Sequence, residues 1–112
     1  VEQELLTDAI RKILADSDWK IRVHALNSLL TLEVPLEGSL IRAVSDNLNH
    51  EQWPVRLAAL YLLAKAQPDT FEKVLDWTAR NDASIINRKM AIALGASVPD
   101  EVDDEAGLKI EE

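Results

Sequence analysis

Trp53-Pro-Val-Arg-Leu-Ala-Ala-Leu-Tyr-Leu-Leu63 decides the fold, because the chain uses this pattern more than once. Trp19-Lys-Ile-Arg-Val-His-Ala-Leu-Asn-Ser-Leu29 places Trp, Arg, Ala and Leu in the same slots, 34 residues earlier. A looser copy, Ile85-Ile-Asn-Arg-Lys-Met-Ala-Ile-Ala-Leu94, sets Arg88 and Ala91 at 32 residues beyond Arg56 and Ala59. Apolar residues in each copy recur at helical spacing, so each is an amphipathic helix. Recurrence in the low-to-middle thirties is the signature of an αα repeat array, whose pairs bury their apolar faces only by stacking on neighbours.

Working outward, each copy has a companion helix before it. Leu6, Ala9, Ile10 and Leu14 match Leu40, Ala43, Val44 and Leu48 at the same offset of 34. The spacing predicts helices over about 3–15, 18–32, 37–48, 53–66, 70–80 and 83–97. The first is apolar at Leu5, Leu6, Ala9, Ile10, Ile13 and Leu14. The second puts Ile21, Ala25, Leu26, Leu29 and Leu32 on one face. Asp16-Ser17-Asp18 supplies N-cap oxygens, Pro35 stops the second helix, and Pro54 fits a first turn where its missing N–H is harmless. Asp69-Thr-Phe-Glu72 has the form of a capping box for the fifth helix. The expected architecture is all-α: a right-handed α-α superhelix of three helical pairs. Residues 1–99 form the repeat domain, with repeats at about 3–34, 37–67 and 69–98.

Composition excludes several function classes. The 112 residues carry a net charge of −8, unevenly placed: residues 100–112 hold seven acids against Lys109, while residues 1–99 hold thirteen acids and eleven bases. A nearly neutral body with an acidic, disordered tail has no clustered basic surface for phosphate, so no nucleic-acid partner is expected. No window approaches the roughly 18 apolar residues of a membrane span, and no signal pattern opens the chain. With no Cys there is no disulfide, thiolate nucleophile or Cys-ligated zinc, and a cytoplasmic location is expected. No nucleophile elbow or phosphate loop is present, so no catalytic residue, cofactor or metal is expected.

On these residues the chain resembles the HEAT-repeat family, in particular the short bacterial and archaeal HEAT-like repeats. That family has Asp in the turn between paired helices and, six residues on, Arg after an aliphatic residue. Asp16 with Ile21-Arg22 fits, and Asp82 with Arg88 fits with Asn87 in the aliphatic slot. Val55-Arg56 fits with His50 in the Asp slot. The resemblance implies that Asp16, Arg22, Arg56, Asp82 and Arg88 form a hydrogen-bonded ladder between neighbouring repeats, and that the protein is a non-catalytic binding scaffold. HEAT-like relatives of bilin lyases imply an alternative, a module that holds an enzyme's substrate protein. HEAT-like DNA glycosylases need a basic groove that this chain lacks. HEAT metal hydroxylases use several His-Glu pairs, where this chain has His50-Glu51 alone.

The resemblance also implies that the second helices line a concave face. Their outward positions include Lys20, His24, Asn27, Tyr61, Lys65 and Met90, with no carboxylate among them. Such a surface suits an acidic-hydrophobic peptide or helix of a protein partner. Trp19 and Trp53 open matched helices and are read as packing residues, whereas Trp77 has no counterpart and is a candidate exposed anchor.

Overall fold

The computed structural model describes residues 2–97, with side chains from residue 4 onward. The acidic stretch 100–112 lies outside the described residues. The described chain is helical throughout, without a strand: α1 (Glu2–Leu14), α2 (Trp19–Thr31), α3 (Ser39–Asp46), a 3₁₀ turn (Asn47–Asn49), α4 (Trp53–Ala66), α5 (Glu72–Asn81) and α6 (Ile85–Ala93). It divides into two compact units, Val1–Asp69 and Thr70–Glu112.

In the first unit α1 packs on α2 and on α3, and α4 packs on α2 and α3. The core sits on α4, where Val55, Ala59, Leu60, Leu62, Leu63 and Ala64 are all buried. Leu14, Leu26, Leu29, Leu36, Leu40 and Val44 are buried with them. Ala59 is fully buried on α4, the helix that packs on both α2 and α3. In the second unit α5 packs on α6, burying Leu75, Thr78 and Ala79 of α5 and Asn87 and Ala91 of α6.

The helix ends show where local chemistry overrode the expected limits. α2 stops at Thr31, before Pro35 is reached. The Val34 amide returns to the Leu29 carbonyl at 3.1 Å and the Glu33 amide to that of Leu30, with Glu33 at φ 54°. This is a Schellman closure with Glu in the left-handed position that Gly normally takes. α6 stops at Ala93 rather than near 97 by the same device. Its Gly95 has φ 115° and the Ala96 amide bonds the Ala91 carbonyl at 3.0 Å. The capping box expected at Asp69 does not form, because α5 begins at Glu72 behind Phe71, without a side-chain cap. Asp18 does cap α2, accepting from the Lys20 amide at 3.0 Å.

Several positions expected inside lie outside. Leu5, Leu6, Ile13, Ile21 and Leu32 are exposed, although α1 and α2 carry them at regular apolar spacing. Position by position, Leu6 is 61% exposed where its counterpart Leu40 is 5%, and Ile21 is 41% exposed where Val55 is 0%. Within the first unit, these second-pair positions are buried and their first-pair counterparts are exposed. No helix of the described residues is long and apolar enough to cross a membrane.

Candidate functional site

The residues assigned to the Asp–Arg ladder build three turns of one design. Asp16 Oδ1 accepts from the Asp18 amide at 2.8 Å, His50 Nδ1 from the Gln52 amide at 2.9 Å, and Asp82 Oδ1 from the Ser84 amide at 2.8 Å. Each turn's carbonyl then takes the Arg six residues on: Arg22 Nε to Asp16 O at 2.6 Å, Arg56 Nη1 to His50 O at 2.8 Å, and Arg88 Nη1 to Asp82 O at 2.5 Å. Asp16 and Asp82 thus each cap their own turn, and Arg22, Arg56 and Arg88 each reach the carbonyl that opens theirs. A neutral imidazole has a lone pair at Nδ1, which is why His50 can stand in for Asp. Arg56 Nη1 also donates to the backbone carbonyl of Glu51, at 3.1 Å.

Arg22 reaches further. Its Nη1 donates to Asn47 Oδ1 at 2.9 Å, and Asn47 Nδ2 donates to the carbonyls of Leu14 at 3.2 Å and Ala43 at 3.0 Å. Asn47 is buried and ties the ends of α1, α2 and α3 together. Burial and the Arg22 guanidinium push the His50 imidazole below its ordinary value of 6.5; Glu51 opposes this and Arg56 adds to it. Sequence reasoning missed Asn47 as a joint. The available signal was its register, seven residues after Leu40 on the buried face of α3.

Of the residues placed on the second helices, the structure brings Tyr61 and Lys65 together. They line a groove of about 520 Å³ in the first unit, with Leu30 of α2 and Glu33, Val34 and Pro35 of the following loop. The Lys65 ammonium lies 5.5 Å from the centre of the Tyr61 ring, within cation–π range. Glu33 brings a carboxylate to a surface expected to have none. Lys20, His24 and Asn27 are exposed on α2 but do not line this groove, and Met90 is half-buried on α6 of the second unit. Trp77 is 59% exposed on α5 and Trp53 is exposed at the start of α4.

A smaller cleft of about 300 Å³ is lined by Arg11, Arg22 and Arg42, with Asp46 and Asn47. Two of its three cations are committed within the fold, Arg11 to Asp8 and Arg22 to Asp16 and Asn47. Among the described residues no group of three or more His, Cys, Asp or Glu side chains is placed to hold a metal ion. Comparisons of the chain with protein-family models, with curated proteins and with solved structures find no match.

Proposed function

We propose that the chain is a HEAT-like array of three helical pairs, stacked as a right-handed solenoid, whose role is to bind a protein partner without catalysis. The threefold turn, with the same amide bond two residues on and the same Arg bond six residues back, supports the repeat reading. One observation carries the binding reading: a groove with an apolar wall, an aromatic ring and a solvent-facing ammonium already in place.

The groove takes an extended segment bearing an apolar side chain beside an acid. The apolar group lies on Leu30, Val34 and Pro35, and the acid meets Lys65 on the side away from Glu33. Peptides selected from a random library on the intact chain are the test. Enriched sequences carry an acid next to an apolar residue, and Tyr61→Ala with Lys65→Glu weakens them about tenfold or more. Ligands that bind the double variant as tightly as the wild type rule out this groove as the site.

A further inference from the structure

We infer that the uncovered face of the first helical pair is the interface of a two-fold homodimer, with α1 packed antiparallel on α1 of a second copy. In the second pair the counterpart positions Leu40 and Val55 are buried, while Leu6 and Ile21 are exposed. A face whose counterpart is buried once within this chain has the shape of a helix-packing surface. Scattered exposed leucines need no explanation, but a contiguous apolar stripe on one helix does.

The sequence along α1 says what fits the stripe. Leu5, Ala9 and Ile13 follow one another at successive turns, all exposed, with Leu6 beside them. Antiparallel packing about Ala9 sets Ala9 on Ala9 of the second copy, where small side chains allow the closest approach. Leu5 then lies against Ile13 of that copy, and Ile13 against its Leu5. Asp8, whose Oδ1 already accepts from Arg11 of its own helix, and Lys12 stand one turn apart on the edge beside Leu5, and the second carboxylate oxygen of Asp8 serves a further cation. Reversing the second helix brings the Asp8 of each copy within reach of the Lys12 of the other. Such a patch is complementary to itself, as a closed two-fold interface requires. A parallel or head-to-tail arrangement sets like charges together or leaves the stripe half covered.

Sedimentation equilibrium of the intact chain, from about 1 to about 500 µM, reads the result directly. The expected outcome is a monomer–dimer equilibrium that Ile13→Glu abolishes and Lys12→Glu weakens about tenfold, by setting an acid against Asp8. The double variant Asp8→Lys with Lys12→Glu exchanges the charges on both copies and restores the dimer. All these positions are exposed, so melting curves taken at concentrations where the wild type is monomeric should stay close to wild type, and the restored variant controls for any that do not. A monomer across the range overturns the inference and leaves the face to a different helical pair. So does a dimer indifferent to Ile13→Glu, or an open series of larger species.

Discussion

At the scale of single residues, His50 carries the clearest consequence. Its Nδ1 must keep a lone pair for the Gln52 amide, and burial with Arg22 nearby disfavours the imidazolium. The folded chain therefore holds His50 neutral at pH values where the unfolded chain has begun to protonate it. Stability is unaffected well above 6.5, falls as pH drops below that value, and reaches its full loss below the depressed folded value. His50→Asp restores the acid found at Asp16 and Asp82, and keeps the acceptor without the proton. It is expected to stabilise by about 0.5–1.5 kcal/mol at pH 5 and by less at pH 8. Thermal melts at the two pH values check this; an acid-induced loss as steep in the variant as in wild type would put the sensitivity elsewhere. Glu33 offers a second test. An L-residue in the left-handed region costs about 1–2 kcal/mol, of which part returns as unfolded-state entropy when Gly replaces it. Glu33→Gly should raise stability by about 0.5–1 kcal/mol, measured by urea denaturation with an unchanged slope.

The elements were legible in outline because apolar residues recur at 3.6-residue spacing and matched positions recur in the low thirties. Their ends were not, for physical reasons that differ from site to site. Nothing in Leu32-Glu33-Val34 announces a left-handed residue, since Gly is the usual sign and Glu takes the conformation at a cost. Asp69 and Glu72 have capping-box spacing, yet the chain turns through Phe71, which buries its ring at the helix start. The groove depends on the same hidden turn: Tyr61 and Lys65 were legible as helix positions, whereas Glu33 and Val34 entered through loop geometry. Packing between elements gives two predictions. Asn47→Leu leaves the Leu14 carbonyl without its side-chain donor and removes the Oδ1 acceptor of Arg22 Nη1, at a buried joint of three helices. It should cost about 1–3 kcal/mol despite its added apolar surface. Ala59→Leu inserts three carbons at a fully buried position of α4 and should cost about 1–3 kcal/mol. Unchanged melting curves for either variant would mean that the corresponding junction is looser than described.

For the molecule as a whole, the distribution of buried side chains sets an order of local stability. In the first unit α4 buries six side chains and lies against both α2 and α3, whereas α1 contributes only Leu14 among its described side chains. Opening α1 sacrifices little apolar burial, and opening α4 means dismantling the unit. Native-state hydrogen exchange should therefore place the α4 amides at the slow extreme and the α1 amides among the fastest helical ones of that unit. Concentration separates the two roles that α1 can play. If its Leu5–Ala9–Ile13 stripe stays in water, α1 exchange is the same in dilute and concentrated samples. If a second copy covers the stripe, every α1 opening must first release the partner, and exchange there slows as protein concentration rises. The α4 amides are the internal reference, because they should already open only with the unit itself. Slowing confined to α1 and to the exposed Ile21 end of α2 would locate the dimer on the face that the repeat comparison shows uncovered. Slowing centred on Tyr61 and Lys65 instead would put the self-contact in the groove and remove that surface from the peptide-binding role.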